Sequence, residues 1–217
     1  MLDSINDKID FIIKHFSEKE LVKTELQYNN DYQLLISVVL SAQCTDKRVN
    51  IISQNLFKEY KSFYELANAK EEDVYKIIKS ISFPEVKTER IINISKIISE
   101  RYSNKVPSKF QDLININGIG RKTANLVLAI LYDYPGIAVD THVARVSSRL
   151  GLTTSKKPDI IEKDLSQSFP QKYWNKINPW FVILGRYICK AIKPKCDKCM
   201  LKNMCIYIKT ITVYKSS

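Results

Sequence analysis

Hydrophobic residues recur along most of this chain at intervals of three and four, which is the spacing of one face of an α-helix. Such runs cover residues 5–16, 34–40, 49–56, 74–81, 90–98 and 160–169. No stretch keeps the alternation typical of a β-strand, and the prolines fall mostly between the runs, where they mark connections. The pattern predicts an all-α fold.

A tight turn at residues 117–120 separates two of the predicted helical segments. Gly118 and Gly120 flank Ile119, and glycine can adopt a positive φ and let a ligand approach the backbone closely. The apolar segment that follows, up to Leu131, predicts a buried helix. Amides of such a turn, with the start of the next helix, can bind a phosphate. The arrangement predicts a helix-hairpin-helix that binds the DNA backbone regardless of sequence, although a Gly-x-Gly can also be an ordinary helix connection.

Lys122 lies just after this turn and is a candidate catalytic residue. A neutral amine can attack the sugar C1′ of a nucleotide and form a Schiff base. Asp140 precedes another predicted helix, Thr141–Leu150, and a carboxylate near a nucleophilic amine can stabilise oxocarbenium charge or move protons. Simpler roles are open for both residues, since Lys122 can contact a phosphate and Asp140 can cap its helix. The pair indicates base excision.

Four of the five cysteines fall within seventeen residues, with six, two and five residues between them. Four thiolates this close indicate one metal centre. Zinc usually gathers two close pairs of cysteines, whereas an iron–sulfur cube accepts a looser spacing, so the pattern favours iron–sulfur modestly. Paired disulfides are a further alternative. The four residues are Cys189, Cys196, Cys199 and Cys205.

The loop between the first two of these cysteines is basic. It carries Lys190, Lys193 and Lys195, so a metal centre would fold a loop suited to phosphates. Cys44 stands apart in the sequence and is predicted to be a small core residue.

Together, these motifs resemble the endonuclease III family of DNA glycosylases and AP lyases. The resemblance rests on the hairpin, on the Val-Asp-Thr-His segment at residues 139–142 and on the cysteine spacing, and it spans about residues 34–205. It implies a helix-hairpin-helix DNA glycosylase fold with two domains and a cleft between them. Residues 24–134 would form a helical barrel domain, and residues 1–23 and 135–217 an iron–sulfur cluster domain.

The resemblance also implies roles for individual residues. The hairpin lysine of the family is the Schiff-base nucleophile, which corresponds to Lys122, and the family aspartate corresponds to Asp140. The lysine distinguishes the chain from the related adenine mismatch glycosylases, which lack it. The four cysteines would hold one [4Fe-4S] cluster.

A Leu-Ser-Ala-Gln segment of the family matches residues 40–43, and its glutamine enters the gap left by an extruded base. Gln43 can also be a helix-capping or surface amide. Phe83 would be an apolar wedge inserted into the duplex. The implied DNA-binding residues are Gln43, Phe83, Gly118, Gly120, Arg121, Lys190, Lys193 and Lys195.

Some positions depart from the family pattern. Asn117 replaces the usual proline of the hairpin, and asparagine tolerates turn geometry. The wedge loop reads Ile-Ser-Phe-Pro-Glu-Val-Lys from residue 81, where many relatives have glycine in place of the serine. Pro84 stiffens this loop and Glu85 brings negative charge near phosphates, which leaves lesion preference and DNA affinity open. Leu184 stands where the family has a histidine.

The net charge of +11 favours a polyanionic partner, although a lysine-rich proteome would give the same balance. No apolar run has the length of a membrane span, and the acidic, polar start of the chain does not resemble a signal peptide. We expect a cytoplasmic, nucleoid-associated monomer whose partner is double-stranded DNA with damaged bases or abasic sites.

The sequence thus predicts a bifunctional DNA glycosylase and AP lyase that removes oxidised pyrimidines from duplex DNA through a lysine Schiff base and β-elimination. One alternative is a non-catalytic helix-hairpin-helix DNA-binding protein with a structural metal site. Another is a zinc-stabilised interaction module.

Overall fold

The structure, a computed structural model, describes residues 4–18 and 23–215, with side chains as far as residue 210. Over these residues the chain forms α-helices and short 3-10 turns, and it contains no β-strand. The predicted all-α fold is therefore confirmed. Within the same residues, no helix is long and apolar enough to cross a membrane.

The α-helices of the described residues are numbered in chain order. They are α1 Ile5–Ser17, α2 Asp31–Leu40, α3 Asp46–Glu59, α4 Phe63–Ala67, α5 Glu71–Ile78, α6 Pro84–Arg101, α7 Phe110–Ile114, α8 Arg121–Leu131, α9 Thr141–Leu150, α10 Pro158–Ser168, α11 Trp174–Tyr187 and α12 Ile206–Lys215. Short 3-10 turns span Gln171–Tyr173, Cys196–Lys198 and Lys202–Met204.

Polar side chains fix where several helices begin. Asn30 accepts a hydrogen bond from the N–H of Gln33 at the start of α2, and Thr45 accepts one from Arg48 at the start of α3. Such caps satisfy amides that have no partner within the helix. Pro84 is the first residue of α6 and helps to begin that helix. Proline is suited to this position because the first turn of a helix does not use the N–H that proline lacks.

Contacts between residues divide the chain into two compact units. The first, here called the hairpin unit, is Thr24–Tyr134, and the second, the cysteine unit, combines Met1–Lys23 with Pro135–Ser217. Residues 1–3, 19–22 and 216–217 of the second unit lie outside the described residues.

The core of the hairpin unit is built around α2, which is buried along most of its length. Because this helix is apolar on nearly every side, it can be covered on all faces by its neighbours. The helix after the hairpin, α8, buries Ala124, Val127 and Leu128, so its predicted burial is confirmed. Cys44 is half-buried and packs against this core.

The core of the cysteine unit is centred on α9 and α11. Trp180 and Phe181 are buried in it, and the ring of Phe16 stacks on Trp180 with centroids 5.8 Å apart. Pro179 differs from the prolines that mark connections, because it lies inside α11.

Candidate catalytic residues and nucleic-acid interface

The turn between α7 and α8 depends on one of its two glycines. Gly118 has a φ of +96°, and a Cβ built there would lie 2.7 Å from Cγ of Arg90. Only glycine meets both constraints without strain. Gly120, in contrast, has a φ of −89° and open space around the Cβ position. The positive φ that the sequence allowed at both glycines is therefore found at Gly118 alone.

The same turn leaves the start of α8 open to an anion. Ile119 is buried and its N–H donates to the Ile116 carbonyl at 3.0 Å, which anchors the turn to the core. Gly120 is the N-cap of α8 and supplies no side-chain acceptor. The first amides of a helix attract negative charge when no cap takes them up. The turn thus has the features of a phosphate site.

Arg121 and Lys122 are the first two residues of α8, and both are exposed. The guanidinium of Arg121 lies over the ring of Phe110, 4.9 Å from its centroid. Lys122 stands on the next position with its side chain accessible to solvent. Lys122 thus places an exposed amine on the first turn of α8, next to the uncapped amides of the helix.

Asp140 is the N-cap of α9, and the predicted capping role is seen directly. Its Oδ1 accepts hydrogen bonds from the N–H groups of His142 at 2.9 Å and Val143 at 2.8 Å. The Oδ2 atom takes part in neither bond. Just before it, the Ala138 carbonyl accepts a 2.7 Å hydrogen bond from Nδ2 of the buried Asn178. The carboxylate is therefore held in one orientation with one oxygen outside the cap.

His142 is part of a network that links α9 to α11. Its Nδ1 lies 3.2 Å from Nη2 of Arg145, which also donates to the Gly185 carbonyl at 3.0 Å. Because a guanidinium can only donate, Nδ1 is the acceptor. Burial lowers the pKa of His142; the Asp140 carboxylate opposes this shift, while Arg145 and Arg186 add to it. The ring therefore packs between α9 and α11.

Leu184, at the position where the sequence departs from the family histidine, is buried in the core of the cysteine unit. Its neighbour Gly185 allows the close approach of the two helices, because a Cβ there would lie 2.8 Å from Nδ1 of His142.

Gln43 and Phe83 lie in two turns with the same unusual backbone. Gln43 has a φ of 53° and Phe83 a φ of 55°, and both side chains are exposed, Phe83 to 59%. The helix-capping alternative for Gln43 is wrong, because Ser41 is the C-cap of α2 and Thr45 is the N-cap of α3.

Lys87, which no sequence motif marked, lies beside these turns and is only 2% exposed. Its Nζ donates to the carbonyls of Leu40 at 2.8 Å and Ala42 at 2.6 Å. Burial lowers the pKa of Lys87, and Arg90 adds to this effect, while Cys44 opposes it. Its neighbours in the sequence, Glu85, Thr88, Glu89 and Arg90, are mostly polar, so no sequence signal marked this lysine as buried.

Arg149 of α9 makes hydrogen bonds with two of the four clustered cysteines. Its Nη1 donates to Sγ of Cys189 at 3.4 Å, and its carbonyl accepts from Sγ of Cys205 at 3.2 Å. All the cysteines are free thiols, so the disulfide alternative is not found. Burial, together with the thiols of Cys205 and Cys189, raises the pKa of Cys196.

The pKa of Cys199 is raised by burial and also by the other three thiols of the cluster. The four thiols therefore lie within electrostatic range of each other. Among the residues the structure describes, however, no group of three or more His, Cys, Asp or Glu side chains is arranged to hold a single metal ion.

The basic loop between Cys189 and Cys196 is closed by backbone and arginine contacts. The N–H of Lys195 donates to the Ile188 carbonyl at 2.9 Å, and Arg149 donates to the carbonyls of Lys190 at 2.7 Å and Ala191 at 3.1 Å. The lysine side chains at 190, 193 and 195 are all exposed. The loop thus presents positive charge to solvent.

Comparison with known proteins defines the class of this chain. Residues 36–171 match the HhH-GPD superfamily of base excision DNA repair proteins. The chain is 44% identical to endonuclease III of Rickettsia felis, covering 89% of this chain and 91% of that protein. It is 42% identical to endonuclease III of Thermotoga maritima, covering 82% and 84%. It is thus an HhH-GPD base excision DNA repair protein.

A solved structure shows to which family within this superfamily the chain is similar. The trapped covalent intermediate of endonuclease III with DNA matches with a TM-score of 0.86 and 35% identity, over 94% of this chain and 95% of that one. The chain belongs to the endonuclease III family. The predicted activity, a DNA glycosylase and AP lyase of base excision repair, is confirmed over that of a non-catalytic DNA-binding protein.

Proposed function

We propose that this protein removes oxidised pyrimidines from duplex DNA and cuts the strand at the resulting abasic site through a Schiff base on Lys122. The observation that carries the proposal is the exposure of Lys122 on the first turn of α8, directly after an uncapped phosphate-binding turn. A backbone phosphate bound there would bring the neighbouring sugar within reach of the amine. The endonuclease III that was trapped covalently on DNA supports a nucleophilic mechanism.

The reaction begins when the neutral Nζ of Lys122 attacks C1′ of a nucleotide that has been flipped out of the stack. The C1′–N bond breaks, the damaged base leaves with a proton, and the sugar ring opens as the imine forms. Loss of a C2′ proton then breaks the bond from C3′ to its phosphate. Hydrolysis of the imine returns the free lysine.

We assign Asp140 to charge stabilisation and proton movement during these steps. Its Oδ1 is committed to the cap of α9, so Oδ2 is the oxygen that would carry this role. The capping bonds hold the carboxylate in place, which avoids an ordering cost during the reaction.

The remaining candidates divide between phosphates and bases. Gly118, Gly120 and Arg121 would hold the backbone at the hairpin, as would the lysines at 190, 193 and 195 on the basic loop. Gln43 would fill the gap left by the extruded nucleotide, and Phe83 would wedge the neighbouring base step apart. We further propose that the protein acts as an intracellular monomer at the nucleoid.

The cysteines fit one [4Fe-4S] cluster better than zinc. Zinc usually gathers its cysteines as two close pairs, whereas only Cys196 and Cys199 are close in this sequence. In a cube, each thiolate binds a different iron, so the four sulfurs stand farther apart. The cluster would order the basic loop and take no part in the bond changes. A broad absorbance near 400 nm, roughly, would distinguish it from colourless zinc.

Borohydride trapping on a duplex that carries an oxidised thymine or an abasic site tests the mechanism. Wild type should give a covalent adduct, and Lys122→Gln should lose it, with strand cleavage falling about 10³-fold or more. Lys96→Gln removes another exposed lysine of the hairpin unit and should trap normally. A wild type that binds these duplexes but forms no adduct would rule out the Schiff base.

Asp140→Asn tests the second role separately. The asparagine Oδ1 can still cap α9, so the free energy of unfolding should change little. Single-turnover excision should nevertheless slow by about 10²-fold, because the carboxylate charge is lost. An equal loss of stability and activity would instead assign Asp140 to capping alone.

A further inference from the structure

Two turns of the hairpin unit hold exposed side chains on left-handed backbone. Gln43 and Phe83 have φ values of 53° and 55°. Residues other than glycine adopt this region uncommonly, and bulky ones rarely. Such a conformation persists where the surroundings over-determine it, and it concentrates at functional sites. Something must therefore hold both turns.

Three side chains tie the two turns to each other. Ser82, next to Phe83, donates its hydroxyl to the carbonyl of Gln43 at 2.6 Å. The ammonium of Lys87, on the first turns of α6, donates to the carbonyls of Leu40 and Ala42. These bonds join residues 39 to 47 positions apart in the sequence. A weaker contact, 3.4 Å from Nε of Arg48 to the Ser80 carbonyl, runs in the opposite direction.

The location of Lys87 suits this task. Leu40 is the last residue of α2, and the carbonyls at the end of a helix lack partners and carry partial negative charge. A buried ammonium placed there is stabilised by the carbonyls, and the carbonyls by the ammonium. Removing either member would leave the other buried without a partner, so the link is hard to open.

We propose that Ser82 and Lys87 are positioning residues that lock Gln43 and Phe83 into one two-pronged wedge, formed before DNA arrives. The inference rests on the proposed insertion of these two side chains into the duplex. Turns that are already ordered pay no further conformational entropy when they enter the stack.

The test measures insertion independently of catalysis. A duplex holds a stable abasic analogue with 2-aminopurine as the base opposite it, and the fluorescence of 2-aminopurine rises when it loses its stacking. With saturating protein, Ser82→Ala should give a rise at least about 2-fold smaller than wild type, the loss expected for one hydrogen bond. Ser82→Thr keeps the hydroxyl and should restore the rise. Ser80→Ala is the matched control. It removes a hydroxyl from the same turn, and none of the cross-turn bonds uses that hydroxyl.

A second measurement compares two substrates under single-turnover conditions. On an intact duplex with an oxidised thymine, Ser82→Ala should slow excision about 3- to 10-fold. On the same strand with a one-nucleotide gap opposite the lesion, no partner base must be displaced, and the loss should be less than about 2-fold. Lys87→Met should show the same split with a larger loss on the intact duplex. Because Lys87→Met can fail to fold, the Ser82 variants decide the question.

The outcomes separate the two proposals. A fluorescence rise that Ser82→Ala leaves unchanged, or an equal slowing on both substrates, would overturn the two-pronged wedge. If wild type excises nothing but its fluorescence rise depends on the Ser82 hydroxyl, the wedge stands and the proposed excision of oxidised pyrimidines is wrong.

Discussion

The two units hold the loops that we propose to face phosphates by different means. In the hairpin unit the turn at Gly118 is fixed by backbone geometry and by the burial of Ile119. In the cysteine unit a backbone hydrogen bond from Lys195 to Ile188 closes the basic loop, and a side chain, Arg149, donates to two of its carbonyls and to one cysteine. The first loop relies on its own backbone and core, whereas the second also relies on an arginine from α9. Rigidity within one protein can thus come from the backbone alone or from added links.

The largest difference between the units should appear when the proposed cluster is lost. In Cys199→Ser, amides of residues 189–205 should exchange hydrogen at least about 10²-fold faster, because a structural metal centre contributes folding free energy directly. Amides of α2 and α8 should keep their wild-type protection. Hydrogen-exchange mass spectrometry measures both sets together. Cys44→Ser, in the other unit, is the matched control, and protection lost equally across both units would break the comparison.

The backbone side of the comparison is tested at the hairpin. Gly118→Ala forces a Cβ against Arg90 at a positive φ, so the free energy of unfolding should fall by about 2 kcal/mol. Gly120→Ala has open space around its Cβ and should stay within about 0.5 kcal/mol of wild type. Urea unfolding measures both. If Gly120→Ala still weakens DNA binding, the added methyl obstructs the phosphate itself. Equal stability of the two variants would contradict the claim that backbone geometry at Gly118 fixes the turn.

Arg149→Met tests the side-chain support of the basic loop. The change removes donors to the carbonyls of Lys190 and Ala191 and to Sγ of Cys189, and should cost about 1.5 kcal/mol. Thermal unfolding of the loaded protein measures the loss. Lys202→Met removes an exposed charge from the same unit and should be nearly neutral. A wild-type unfolding temperature in Arg149→Met would mean that the loop does not need the arginine.

The smallest effect is expected from pH in the cysteine unit. Burial lowers the pKa of His142 below its usual 6.5, so the unfolded chain takes up a proton at a pH where the folded chain does not. Stability from this residue is therefore complete above about pH 7 and declines as the pH falls through 6.5 towards the folded pKa. His142→Gln should flatten this part of the profile, as followed by urea unfolding between about pH 8 and pH 5. If the variant leaves the slope of unfolding free energy against pH unchanged, other groups cause the pH dependence.

Much of the helical framework could be predicted because it follows from local patterns. Apolar spacing located α2 and α8, and the Asp140 cap at the start of α9 is a contact between near neighbours in the chain. The turn at Gly118 followed from what glycine alone can do. These features depend on residues within a few positions of each other.

The links between distant segments could not be predicted. Ser82 and Lys87 bond to backbone carbonyls about forty residues away, and any residue offers a carbonyl, so no sequence pattern marks the acceptor. Pro179 inside α11 shows a related limit, since packing against α9 outweighs the helix-breaking tendency of one residue. Gly120 was expected to share the role of Gly118, and only the three-dimensional surroundings separate them.

The exposed Asn117 that precedes Gly118 has a consequence for the chemical lifetime of the protein. In an Asn-Gly pair, the glycine nitrogen can attack the asparagine amide with little hindrance, releasing ammonia and leaving a succinimide that hydrolyses to aspartate or isoaspartate. The product would place a carboxylate beside the turn that we propose binds DNA phosphates. Deamidation of Asn117 in stored protein should therefore alter the hairpin.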